Sequence, residues 1–67
     1  MGLIPFLGFN YRPLFIEKRK IIALSESLTS TIDKPKTIIY VAAGSESEEW
    51  TVLETFEEVV KKYEETE

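Results

Sequence analysis

The segment from Lys36 to Glu65 constrains this chain most, because capping, hydrophobic period and charge order there all agree on one arrangement. Thr55-Phe-Glu-Glu58 fits a capping box. The Thr55 hydroxyl can accept from the Glu58 backbone N–H, and the Glu58 carboxylate can return to the Thr55 N–H. Phe56, Val59, Val60 and Tyr63 then fall at i, i+3, i+4 and i+7, one apolar stripe. Glu54, Glu57 and Glu58 stand at the positive end of the helix dipole, with Lys61 and Lys62 nearer its negative end. Glu57–Lys61 and Glu58–Lys62 are i,i+4 pairs in the better orientation, worth about 0.2–0.5 kcal/mol each. A helix over residues 55–65 is predicted.

Ahead of it, Thr37-Ile-Ile-Tyr-Val-Ala-Ala43 and Trp50-Thr-Val-Leu53 are β-branched and aromatic runs. Gly44 to Glu49 between them is polar with one glycine, so a β-hairpin over 37–53 is expected, with a loop longer than the commonest ones. Alternation puts Ile39 and Val41 on one face, Ile38, Tyr40 and Ala42 on the other, and Trp50 with Val52 on one face of the return strand. Upstream, Leu14-Phe-Ile16 and Ile21-Ile-Ala-Leu24 flank Glu17-Lys-Arg-Lys20. Residues 14–24 are either one strand with a charged middle or two strands joined by a polar turn. Residues 25–36, with five Ser/Thr, Asp33 and Pro35, read as a loop. Residues 1–13 read as an edge strand or an apolar arm, since Pro5 confines any strand there to an edge. The expectation is a single α+β domain over 1–67: an antiparallel sheet of three to five strands with one C-terminal helix packed on a face.

A 67-residue chain buries only about 60% of its unfolded surface on folding, so small domains usually need a further source of stability. The chain has no cysteine and no histidine, which excludes disulfides and the usual zinc sites and leaves self-association. A homo-oligomer is therefore expected. The lack of cysteine also fits a reducing, cytoplasmic setting. The net charge of −4 argues against nucleic-acid binding, which needs a basic face. That charge is unevenly spread. Residues 1–36 carry six cations against three carboxylates, +3, and residues 37–67 carry two lysines against nine glutamates, −7. The apolar start, Met1 to Phe9, has no basic leader, is broken by Pro5 and Gly8, and is far short of the roughly 20 residues a membrane span needs. Gly2 lacks the hydroxyl residue myristoylation wants, because Phe6 stands there. No membrane association is expected.

Catalysis is not expected either. Acid/base and nucleophilic chemistry lean on His, Cys or an activated Ser, and Ser25, Ser27, Ser30, Ser45 and Ser47 have no imidazole to activate them. Glu46, Glu48 and Glu49 crowd the expected hairpin tip, where water leaves pKa values and geometry unset, and their spacing matches no calcium loop. Gly2, Gly8 and Gly44 are too far apart for a phosphate loop, so no cofactor is expected. Binding surfaces remain. Lys18-Arg19-Lys20, beside Tyr11, Arg12 and Phe15, is either a contact for an acidic partner or a polar turn. Trp50 reads first as a core aromatic, with an interface anchor as the alternative. Phe6, Phe9, Tyr11 and Phe15 form the richest aromatic stretch outside the hairpin and helix, and whatever part stays exposed marks an association surface. The candidates are thus Phe6, Phe9, Tyr11, Phe15 and Trp50 for a protein partner, and Lys18, Arg19, Lys20, Glu46, Glu48 and Glu49 for electrostatic contacts. A different class of reading makes the glutamate-rich loop and helix an acidic inhibitor surface that mimics nucleic acid.

Phe15-Ile-Glu-Lys-Arg-Lys-Ile-Ile-Ala-Leu24, Thr37-Ile-Ile-Tyr-Val-Ala-Ala-Gly44 and Trp50-Thr-Val-Leu-Glu-Thr-Phe-Glu-Glu-Val-Val60 together resemble the small FlbD-like (SwrD-like) proteins. Val52, Glu54, Thr55, Glu58 and Val59 match the V-x-E-S/T-x-x-E-V pattern in which the hairpin of those proteins ends. The resemblance covers about two-thirds of the chain. It implies a strand-rich, acidic, non-enzymatic accessory of flagellar assembly or motor power, with look-alikes among small phage-encoded proteins. Glu17-Lys18 stand where the family usually has Asn-Pro, and the Leu3–Phe9 start is more apolar than the family's.

Overall fold

A computed structural model describes residues 2–67; Met1, the first residue of the expected 1–13 arm, lies outside the described residues. Its elements are β1 (Leu3–Leu7), β2 (Pro13–Glu17), a 3₁₀ turn (Lys18–Lys20), β3 (Ile21–Glu26), β4 (Thr37–Ala43), β5 (Glu46–Val52) and α1 (Phe56–Glu65). This is the expected small α+β arrangement, split into an antiparallel β1–β2 ribbon and an antiparallel β3-β4-β5 sheet. The 14–24 region resolves into two strands that belong to different sheets, with the charged Lys18–Lys20 turn between them.

The ladder explains how Pro5 sits inside a strand. Lys18 N–H donates to the Gly2 carbonyl and Gly8 N–H to the Arg12 carbonyl, so even-numbered residues of the β1–β2 pair carry the bonds. Odd-numbered backbone groups point outward, and the N–H that Pro5 lacks falls on that outer edge. The outer edge of β1 is closed by side chains and by β5. Leu53 N–H donates to the Leu7 carbonyl at 2.8 Å, next to a Gly8–Val52 bridge. Leu7 N–H donates to Glu54 Oε2 at 2.7 Å, and Lys62 Nζ donates to the Pro5 carbonyl at 2.8 Å while pairing with Glu54 Oε1 at 2.6 Å. With β2 turning directly into β3, the five strands form a circuit around one core. Ile4, Phe6, Ile16, Ile39, Val41, Val52 and Val59 fill it, with Leu14, Ile21, Leu24 and Tyr63 against them.

α1 packs on β1 and β3. Thr55 and Glu58 form the reciprocal capping box, at 3.1 Å for Glu58 N–H to the Thr55 hydroxyl and 3.2 Å for the return bond. Of the apolar stripe, Val59 is fully buried, Val60 and Tyr63 are half-buried, and Phe56 lies at the exposed rim. Buried Thr37 donates through its hydroxyl to the Glu54 carbonyl at 2.8 Å, which ties the start of β4 to the approach to the helix.

Two expectations are corrected here. The hairpin loop is not long: Ala43 pairs with Glu46, leaving only Gly44-Ser45 at the turn. Gly44 at φ 68° supplies the left-handed conformation that a two-residue hairpin turn needs. Glu46, Glu48 and Glu49 therefore lie on β5 rather than in a loop tip. Trp50 is not a core residue. It shares the inner face of the hairpin with Ile39, Val41 and Val52, but it sits where the core ends and is 41% exposed.

Candidate functional site

The β1–β2 connection, Phe9-Asn10-Tyr11, is a three-residue loop whose conformation displays its aromatics. Tyr11 N–H donates to the Gly8 carbonyl at 2.9 Å and Arg12 N–H to Asn10 Oδ1 at 3.1 Å. A Cβ at Gly8 would meet the Arg12 carbonyl at 3.0 Å, so this close crossing requires glycine or a small shift. Tyr11 occupies the position of such a loop usually given to glycine, with φ 63°. A bulky residue there costs about 1–2 kcal/mol. Tyr11 is nonetheless 77% exposed, so little packing offsets that cost.

Beside this loop lies a groove of about 470 Å³, lined by Phe9, Arg12, Leu14, Glu49, Trp50 and Thr51. Its lining is largely apolar and includes one cation, Arg12, and one carboxylate, Glu49. One wall is the outer edge of β5. Leu53 turns its N–H toward β1, and residues of the same parity, Ser47 and Glu49, turn their backbone groups away from β4. An open strand edge thus runs along a groove that holds two large aromatics.

The remaining candidates are dispersed. Phe6 is a core residue, 3% exposed, because even-numbered residues of β1 point inward; it is withdrawn from the interface set. Phe15 is exposed, but it lies on the solvent face of the β1–β2 ribbon. Lys18 docks the C-terminus, donating from Nζ to the Thr66 carbonyl and lying over the Tyr63 ring at 4.7 Å. Arg19 pairs with Glu17 at 2.6 Å. The hydrogen bond from Arg19, then its charge, holds the Glu17 carboxyl below the ordinary value of 4.5. Lys20 lines a second hollow with Phe15, Glu48 and Trp50. Glu46 and Glu48 share the inner-face parity of Trp50, beyond the core, while Glu49 is on the opposite face.

Two features escaped sequence reasoning. Glu54 is a clasp between β1 and α1, although its letters mark only a helix approach; its β1 partner, the Leu7 N–H, lies 47 residues away. The outer face of the β1–β2 ribbon, apolar except for Glu17, was legible only in that Leu3-Ile-Pro-Phe-Leu7 lacks polar alternation. Among the described residues no group of three His, Cys, Asp or Glu is placed to hold a metal, and no helix is long and apolar enough to cross a membrane. No family model matches the chain, and neither a curated protein nor a solved structure matches it.

Proposed function

We propose that this chain is a small non-enzymatic binding module that acts through protein–protein contacts at the Phe9–Trp50 groove. The observation that carries the reading is the open β5 edge beside two partly exposed aromatics. An extended segment of a partner can add to such an edge through main-chain hydrogen bonds while its side chains enter the groove. Phe9 and Trp50 supply apolar anchors, and Arg12 and Glu49 set polarity along the segment. The resemblance to the FlbD-like accessory proteins supports the accessory character of the module, and the lack of cysteine supports a cytoplasmic setting. Capture of partners from the native host by the wild-type chain, by Phe9→Ser and by Trp50→Thr tests it. Both sites are exposed, so the fold should persist by circular dichroism while a captured partner is lost. Equal capture by all three proteins refutes the groove.

A second reading has an observation of its own. Placement on β5 leaves Glu46, Glu48 and Glu49 all exposed, the first two on one face and Glu49 on the other, in a half of the chain that carries −7. Such a cluster suits an acidic inhibitor that imitates nucleic acid. Binding by that route weakens steeply from low to moderate salt, whereas groove binding hardly responds. Charge reversal at the three glutamates with intact binding excludes it.

A further inference from the structure

The chain begins to cover the outer edge of β5 and then leaves it. Leu7 and Gly8 lie antiparallel to Leu53 and Val52, with the Leu53 N–H on the Leu7 carbonyl at 2.8 Å. At Phe9 the backbone departs into the β1–β2 loop. Further along β5, the backbone groups of Ser47 and Glu49 point away from β4, and among the described residues nothing pairs with them. A strand that continued the ladder where Phe9 leaves would run antiparallel to β5, from Trp50 toward Glu46.

Such a strand meets a defined neighbour at each position. Directly opposite residues of an antiparallel pair share a face, with Cβ atoms about 4.5–5.5 Å apart. Trp50, Glu48 and Glu46 present one face of β5, and Glu49 and Ser47 the other. The three carboxylates are exposed, and the ion pairs among the described residues, Arg19–Glu17 and Lys62–Glu54, use none of them. Lys20 shares a hollow with Glu48 without pairing to it. Arg12, the cation of the groove, belongs to the opposite end of this edge: its carbonyl accepts from the Gly8 N–H, and Gly8 bridges to Val52.

We infer, resting on the groove proposed above, that the occupant is an extended basic segment of a partner protein. From its N-terminus it carries an apolar residue opposite Trp50, cations opposite Glu49 and Glu48, any residue opposite Ser47, and a cation opposite Glu46. Charge excludes a second copy of this chain. Its β5 in that place would set glutamates beside glutamates, and its basic run, Lys18–Lys20, is a 3₁₀ turn rather than extended chain. Edge charges of one sign keep like strands apart and admit a strand of the other sign. Each cross-strand ion pair tightens binding about 1.4- to 5-fold, so three together give roughly 3- to 150-fold.

Titration of the full chain with two acetylated and amidated peptides tests this, followed by the amide resonances of Ser47 and Glu49 up to millimolar peptide. Both peptides hold the same residues between serine flanks. One reads leucine-lysine-lysine-threonine-lysine, the other lysine-leucine-threonine-lysine-lysine, so net charge is equal and only the register differs. The first should bind about 2- to 30-fold more tightly, the worth of two further ion pairs. A chain carrying Glu46→Lys, Glu48→Lys and Glu49→Lys should lose that preference and favour the first peptide rewritten with glutamates for lysines. Equal binding of the two peptides, or a preference that survives the charge reversal, overturns the basic register and leaves the groove standing. Failure of both peptides to move the two amides overturns it as well, and capture by Phe9→Ser and Trp50→Thr then judges the groove separately.

Discussion

Replacing Glu54 with alanine removes a side chain that joins the first strand to the approach to the helix. Its Oε2 accepts the Leu7 N–H at 2.7 Å and its Oε1 meets Lys62 Nζ at 2.6 Å, in a side chain only 11% exposed. A hydrogen bond to a charged acceptor contributes about 1.5–3 kcal/mol when the donor would otherwise be left unpaired. The ion pair adds less, under about 1 kcal/mol, because the Lys62 side chain is 37% exposed and water screens it. Glu54→Ala should therefore cost about 2–3 kcal/mol, in a domain size whose core rarely supplies more than about 3–5. In urea denaturation followed by Trp50 fluorescence and helix signal, the midpoint should fall by at least half with the slope unchanged. Exchange of the Leu7 and Leu53 amides should quicken first, since both lie at this seam. Lys62→Met keeps the stem near the Phe6 ring but leaves Glu54 with only the Leu7 amide, and should cost about 1–2 kcal/mol. The double mutant should cost less than the sum. A loss below about 0.5 kcal/mol for Glu54→Ala would show that the seam is held by the Leu7–Leu53 bond and packing alone.

Tyr11→Asn relieves the left-handed strain at an exposed site, because asparagine tolerates that region; thermal unfolding should shift upward by the equivalent of about 0.5–1 kcal/mol. A downward shift would mean that the Tyr11 ring contributes packing its exposure does not reveal. Gly44→Val places a branched side chain at φ 68° and should destabilise by about 1–2 kcal/mol through the turn, although nothing within 4 Å obstructs it. Glu58 is held below its ordinary value of 4.5 by the Thr55 backbone N–H and then the Thr55 hydroxyl. A carboxyl lowered on folding contributes stability that is present above 4.5 and lost as pH falls through the lowered value. The stability gap between wild type and Glu58→Gln should accordingly be full at neutral pH and close in acid, and a gap that widens on acidification would reverse the sign.

What the amino-acid order determined by itself is local. The helix and its cap follow from Thr55, Glu58 and a stripe of 3.6-residue period, all interactions within four residues of chain, and the pairing of the Thr37 and Trp50 runs follows from alternation. The acidic C-terminal half and the want of any zinc or disulfide chemistry are likewise matters of composition. The hairpin turn marks where local reading weakened: Gly44 signalled a turn, but nothing in Gly44–Glu49 showed that glutamates would pair on as strand. Tertiary structure alone decided which aromatics face water. Phe6 and Phe15 have the same chemistry, and parity on β1 and β2 buries one and exposes the other, a difference set by which face meets Ile39 and Val59. It also decided that Trp50 stands at the margin of the core rather than within it, because β5 is an outer strand of its sheet and only its Val52 end is closed, by the bridge to Gly8. The Glu54–Lys62 clasp is the same kind of fact: Lys62 reaches Pro5 across 57 residues of sequence, and only the folded path brings them to 2.8 Å.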